Sequence, residues 1–422
     1  METLYQEVYD ARLEIMKPLI VAEGRRRFGS DVIIKSLTEI VEDGEEEDGE
    51  IWENVLVIGT LFKMMERDQS YLTELGKELE TRFEPQPRLY TCEQNTVMME
   101  DERRRMRLAG CCLDPEELVT GVVVGAWGRL EDGRDEFWVE DLVFARIMSP
   151  REAGDGGCEE ELDLCVMSGL EVGTEECEWL VSAQLAADWM LGSVSSPRDQ
   201  RQQARIERLI VAGDSFGTDL SLLEDWFMEE ITTFTTQSAA DAGSRQLDEL
   251  LAQIVAGLNT DIMPGQRDPV EWRMPQQPLN KEMFRLAGLS PSLNCVTNPY
   301  TCLVGGRVVT AVSGQTITDI VRNSSLSPLD AMEKCLTWGH LAPTALDSVR
   351  YREKITTDTL VLLTMPDIFI AGNQPEYLVR KTDINDQPVL LVAVPKFSRT
   401  ESLVRLNLNR LTSQLVSFST QL

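Results

Sequence analysis

The chain has 422 residues, 42% of them hydrophobic, with 8 Trp and 12 Phe, enough for buried cores and incompatible with wholesale disorder. Its 40 Lys and Arg stand against 71 Asp and Glu, and the formal charge of −31 repels a phosphate backbone, so little or no direct DNA binding is expected. No apolar run reaches the ~18 residues of a membrane span, and 9 cysteines without a CxxC pair argue against zinc knuckles and a disulfide framework.

The start, METLYQEVYDARLEIMKPLI, carries acids where a signal peptide has a basic stretch followed by an apolar one, so a reducing, soluble compartment is expected. Leu4, Val8, Ala11 and Ile15 recur at spacings that line one face of a helix, and Pro18 should disrupt it. The basic clusters at 25–27 and 103–107 each lie beside acids and read as ion-paired surface, with phosphate contacts as the alternative. After an apolar stretch around 32–41, the run EDGEEEDGE at 42–50 has nothing to bury and reads as an exposed linker.

From 51 to 150 the pattern becomes short β-rich runs: NVLVIGTLF (54–62), MRLAGCCL (106–113), VTGVVVGAWGRL (119–130) and EFWVEDLVFARI (136–147). The last two flank a Gly-containing loop at 131–135, a hairpin signal. About five strands in a hundred residues fit an OB-fold barrel, and its acidity favours a protein-facing surface over a single-strand groove.

A Gly- and Glu-rich stretch at 152–161 separates this unit from the next. Beyond it, LDLCVMSG (162–169), EWLVSAQLAADWML (178–191), RLIVAGD (208–214), SRQLDELLAQIVAGL (244–258) and TDIMPG (260–265) alternate strand and helix, with a β-rich tail of PVLLVAVPKF and SLVRLNLNRL. This pattern requires an α/β sheet with crossover helices, and its chemistry belongs at the strand ends, at SGL, AGD and MPG. The expected divisions are a helical segment and acidic linker over 1–50, an OB-fold over 51–150, and an αβ domain over 160–422, for which the motifs below imply a phosphodiesterase-like sandwich.

A single histidine, His340, excludes HExxH zinc motifs and any multi-His binuclear centre. Neither a GxxxxGK[ST] loop nor a strand-following GxGxxG is present. The segment Gly213-Asp214-Ser215-Phe216-Gly217 matches the GxSxG of a nucleophile elbow; 218–231 would supply the following helix and only His340 the base, giving a serine hydrolase as one alternative.

More residues fit an altered phosphoesterase. Calcineurin-like phosphoesterases place metal ligands at strand ends in DxH, GDxxD, GNHD and GHxH, where carboxylates and imidazoles hold two divalent ions. Here Gly169 and Glu171 stand at DxH, and at GDxxD Gly213 and Asp214 survive while Gly217 replaces the last acid. Gln266, Arg267 and Asp268 follow Gly265 where GNHD belongs, and Asn373 and Pro375 replace the imidazoles of GHxH. The remaining ligands, Asp214, Asp268 and His340, are too few for a binuclear centre. The structural reading makes the two acids caps or turn holders and His340 a hydrogen-bonded structural residue; a weak metal-dependent phosphodiesterase is the alternative.

The runs DIMPGQRDPVEWRMPQQPLNKEMF (261–284), VTNPY (296–300), SGQTITDIVRNSS (313–325), HLAPTALDSV (340–349) and PDIFIAGNQPEY (366–377) resemble, in order, the B-subunit family of replicative DNA polymerases, and most of all its delta type. Upstream, VIGTLFKMM (57–65), MEDERRR (99–105), LVTGVVVGAWG (118–128) and VEDLVFA (139–145) extend the resemblance over nearly the whole chain, and a short N-terminus agrees with the delta type. Two departures stand out: Asp214 where an amide is common, and the acidic run at 42–50.

The resemblance implies an OB-fold packed on an inactive phosphodiesterase-like domain, with no catalytic residue, cofactor or metal. It implies a nuclear scaffold in DNA replication and repair. Its partners would be the cysteine-rich C-terminal module of the polymerase delta catalytic subunit and a third subunit, which links it indirectly to the sliding clamp.

Overall fold

A computed structural model describes residues 2–44, 54–65, 89–92, 94–101, 103–130, 136–149, 161–173, 178–194, 196–217, 233–271, 273–352 and 357–418. The expected loop at 131–135, the helix at 218–231, most of the acidic run at 42–50 and most of the stretch at 152–161 lie outside them. No helix among the described residues is long and apolar enough to cross a membrane. The chain divides into two compact units, Met1–Met148 with Thr316–Met365, and Ser149–Gln315 with Pro366–Leu422. The sequence placed 316–365 in the second domain, whereas the structure groups it with the first. Its backbone accepts from Lys63 Nζ at Asn323 O (2.9 Å) and from Tyr90 N at Arg322 O (2.8 Å).

In the first unit, helix α1 (Glu2–Phe28) runs through Pro18 instead of ending there. Pro18 and Glu14, the residue four before it, are both exposed, so the lost hydrogen bond faces water and costs less than it would inside a core. Leu13, Met16 and Ile20 form the buried stripe, packing on Leu56, Ile58, Val123 and Val143. Ala11 and Ile15, on the expected face, are only half-buried.

Next come β1 (Ile33–Lys35), α2 (Leu37–Gly44), β2 (Val55–Met64), β3 (Thr96–Glu100), β4 (Arg105–Ala109), β5 (Val123–Leu130) and β6 (Glu136–Val143). The order β2-β3-β4-β6-β5 closes through a β2–β5 pairing, with β4 and β6 parallel. This is the strand order of an OB-fold barrel. β3 escaped the sequence reading because TVMME is short and poor in β-branched residues. The ring of Phe28 stacks on Trp127 at 4.5 Å, seating the end of α1 on β5. The ion-paired reading of the basic clusters holds, with Arg26 and Arg27 on Glu23 (2.7 and 2.9 Å) and Arg105 on Glu100 (2.8 Å).

The second unit is an αβ sandwich. Its six-stranded sheet has the order β10-β9-β8-β7-β16-β17, and its five-stranded sheet β11-β12-β13-β15-β14. The strands are β7 (Asp163–Met167), β8 (Ile206–Ala212), β9 (Asn259–Met263), β10 (Leu293–Cys295), β11 (Tyr300–Val304), β12 (Arg307–Val312), β13 (Ile368–Gln374), β14 (Leu378–Ile384), β15 (Gln387–Pro395), β16 (Ser402–Asn407) and β17 (Thr412–Ser417).

Alternation along each strand builds two cores. Leu164, Val166, Ile210 and Val404 face Val309, Ile370 and Val392 of the other sheet. Cys165, Met167, Leu209 and Val211 face Ala183, Ala187, Leu247 and Leu251 of helices Leu180–Met190 and Thr233–Val255. A strand buried on both faces reads as one apolar run, which is why β7 and β8 were legible. The β-rich tail divides, β15 joining the second sheet and β16 pairing with β7 of the first.

Candidate functional site

β7, β8 and β9 are parallel neighbours, as are β12, β13 and β15. Parallel strands deliver their carboxyl ends to one edge, where ligand sites of such sheets form. The loops there carry Gly169 and Glu171 after β7, Asp214 after β8, Asp268 after β9, Asn373 at the end of β13, and Lys396 after β15. Three non-glycine residues at this edge adopt left-handed backbone: Glu171 (φ 47), Asp214 (φ 53) and Asn373 (φ 54). Such strain clusters at active sites.

Close approach explains two glycines. A Cβ on Gly265 would lie 2.3 Å from Asp214 N, and one on Gly372 would lie 2.3 Å from Ala212 O.

Glu171 and Asp214 are nearly buried. Lys396 Nζ lies 2.6 Å from Glu171 Oε1 and 3.4 Å from Asp214 Oδ2. Ser398 Oγ donates to Glu171 Oε2 at 2.7 Å, and Arg267 Nη1 lies 3.1 Å from Glu171 Oε1. Burial alone would raise the Glu171 carboxyl, but the hydrogen bonds from Lys396 and Ser398 and the charges of Lys396 and Arg267 hold it below the usual carboxylate range. Asp214 Oδ1 accepts from Arg267 N at 3.1 Å.

Asp268 is fully buried, its two oxygens accepting from Phe216 N (2.9 Å) and Gly265 N (2.6 Å). Burial and the charge of Asp214 push its pKa up to about 7 against these N–H donors. It ties the β8 and β9 loops together.

Other predicted positions contribute less. Gln266 and Pro375 are exposed, and Gly217 donates its N–H to Val172 O at 2.9 Å. Asn373 Nδ2 is spent on Ala212 O (3.2 Å) and Ser313 O (2.8 Å), while its buried Oδ1 has no hydrogen-bond partner among the described residues.

His340 does not join this cluster. It belongs to the first unit, where Nδ1 accepts from Ala342 N (3.1 Å) and Nε2 donates to Asp358 Oδ2 (2.9 Å). Its inclusion among the metal-site positions is therefore corrected: it had been kept as the chain's one imidazole, and the fold commits both nitrogens elsewhere. Burial and the charge of Arg12 push its pKa down to about 4, although Asp358 opposes this.

The serine hydrolase reading fails at the serine itself. Ser215 is fully buried, its Oγ has no partner among the described residues, and the left-handed strain falls on Asp214, not on the serine as in a nucleophile elbow.

A binuclear metal centre does not fit these residues either. A lysine ammonium lies between the two carboxylates that would have to bridge cations, and Asp268 is committed to backbone donors. No group of three or more His, Cys, Asp or Glu able to hold a metal ion occurs among the described residues. The sequence reading missed Lys396 and Ser398. The signal was available, since Lys396 directly follows the apolar run PVLLVAVP, at a strand end.

A family model for the B subunit of DNA polymerases alpha and epsilon matches residues 164–379, and one described as DNA polymerase delta subunit OB-fold domain matches residues 5–142. The DNA polymerase delta small subunit of Arabidopsis thaliana is 32% identical over 99% of this chain and 92% of its own length. DNA polymerase delta subunit 2 of Drosophila melanogaster is 31% identical over 98% and 92%. The DNA polymerase delta small subunit of Saccharomyces cerevisiae is 28% identical over 76% and 69%. An archaeal phosphodiesterase structure covers 60% of this chain at 10% identity and a TM-score of 0.30, a likeness too low to carry an argument.

The OB barrel and the αβ sandwich occupy the two regions that these B-subunit family models match. The chain belongs to the B-subunit family of DNA polymerases alpha and epsilon, and within it to the polymerase delta small subunits.

Proposed function

We propose that this chain is a non-catalytic scaffold subunit of replicative DNA polymerase delta in the nucleus. It would hold the cysteine-rich C-terminal module of the catalytic subunit and join it to a third, clamp-binding subunit, with little direct contact to DNA. The observation that carries the non-catalytic part is Lys396 Nζ, 2.6 Å from Glu171 and 3.4 Å from Asp214: a fixed cation stands where mobile ones would polarise a phosphate. The family supports the accessory role, and the charge of −31 suits basic partners in place of a phosphate backbone.

Two measurements test this. Purified protein with Mn²⁺ should release no nitrophenol from bis-nitrophenyl phosphate above the blank, and release abolished by Asp214→Ala would refute the non-catalytic reading. Affinity capture from native cells should recover a polymerase catalytic subunit in stoichiometric yield; its consistent absence would refute the scaffold assignment.

A further inference from the structure

Glu171 and Asp214 are carboxylates with side chains only 11% and 8% exposed, held at one sheet edge. Without a cation between them they would repel in a poorly solvated place, at a cost that bulk water does not screen. We propose that Lys396 is a built-in counter-ion, its ammonium holding together the loops after β7, β8 and β15 as divalent ions hold those of a metallophosphoesterase, and that a latent cation site lies beneath it. This rests on the non-catalytic reading above.

The backbone delivers the lysine to this position. Phe397 N donates to Ser168 O at 2.7 Å and Ser398 N to Gly169 O at 3.0 Å, so the end of β15, in one sheet, is stitched to the β7 loop of the other. Ser168 Oγ reinforces the seam by donating to Pro395 O (3.1 Å) and accepting from Asn373 N (2.9 Å). From there the flexible stem, whose end carries three donors, reaches two carboxylates on different strands. Lys396 is 18% exposed and reaches two carboxylates, whereas the Arg267 guanidinium is 46% exposed and among the described residues pairs with Glu171, so Lys396 is the stronger tie.

The oxygen donors around the stem give the latent site its character. A Cβ built on Gly169 would meet Asn373 Oδ1 at 2.7 Å and the Lys396 side chain at 2.7 and 2.8 Å, so the two lie against the same spot. That amide oxygen is buried and unpartnered among the described residues. Removing the lysine would expose oxygens of Glu171, Asp214 and Asn373, the donor type that hard divalent cations prefer, with Arg267 still paired to Glu171 at their edge.

The test uses the full chain and its thermal midpoint. Lys396→Ala in EDTA should melt at least ~5 °C below the parent. Millimolar Mn²⁺ should restore half or more of that loss in Lys396→Ala and leave the parent unmoved. Lys396→Met combined with Glu171→Gln should lose less than the sum of the single changes, since Asp214 is then the one carboxylate of the pair left without the ammonium. A Lys396→Ala midpoint within ~1 °C of the parent, or a loss relieved neither by Mn²⁺ nor in the double variant, overturns the counter-ion. A parent that gains Mn²⁺-dependent stability and hydrolyses the diester would instead overturn the non-catalytic reading.

Discussion

Arg12 is a fully buried cation. Its Nε donates to Asp358 Oδ2 at 2.8 Å, and its Nη1 to Gly121 O (2.7 Å) and Pro343 O (2.8 Å). Arg12→Met should cost about 3–5 kcal/mol in urea unfolding, because Asp358 and two carbonyls lose their donor inside the core. The same cluster sets a pH response. The folded His340 pKa of about 4 lies below its ordinary value of 6.5, so the unfolded chain binds a proton that the folded chain refuses. Stability is therefore full above pH ~6.5 and falls as the pH drops toward ~4, by on the order of 3 kcal/mol. His340→Gln keeps a donor for Asp358 without a titrating group, and its midpoint should change much less between pH 7 and pH 5 than the parent's. Asp268 has the opposite sign: its folded pKa of about 7 lies above the ordinary 3.8, so its contribution is present below pH ~4 and fades as the pH rises through 7.

Among the elements, α1 shows how packing overrides a local breaker. Pro18 removes a hydrogen bond on the exposed side while Met16 and Ile20, both fully buried, hold the helix on the barrel. Pro18→Ala should therefore raise stability by about 1–3 kcal/mol, read as a higher urea midpoint with an unchanged slope. Helix Pro328–Trp338 carries its own signals: Ser327 accepts from Asp330 N, Pro328 opens the helix, and Gly339 closes it in left-handed backbone. Those signals set its ends, but not which unit it joins. Strands were legible in proportion to burial. β7 and β8, covered on both faces, stood out as apolar runs, whereas β14, exposed at every second residue until its last, did not.

At the scale of the whole molecule, the charge of −31 should steer basic partners. Association with the partner proposed above, a polymerase catalytic subunit's C-terminal module, should slow about tenfold or more between low and high salt, while dissociation changes little; a salt-independent association rate would exclude steering. Composition and apolar runs were enough to indicate a small β-barrel followed by an α/β unit, and the ordered strand-end motifs carried the resemblance to the B-subunit family. These are local or sequential properties, written in spacing and residue type. The tertiary structure alone decided that 316–365 joins the first unit, that His340 serves Asp358 and Arg12, and that Lys396 fills the strand-end site. Each depends on residues far apart in the chain, 225 positions in the case of Lys396 and Glu171, brought together by strand order and crossover packing that no local pattern encodes.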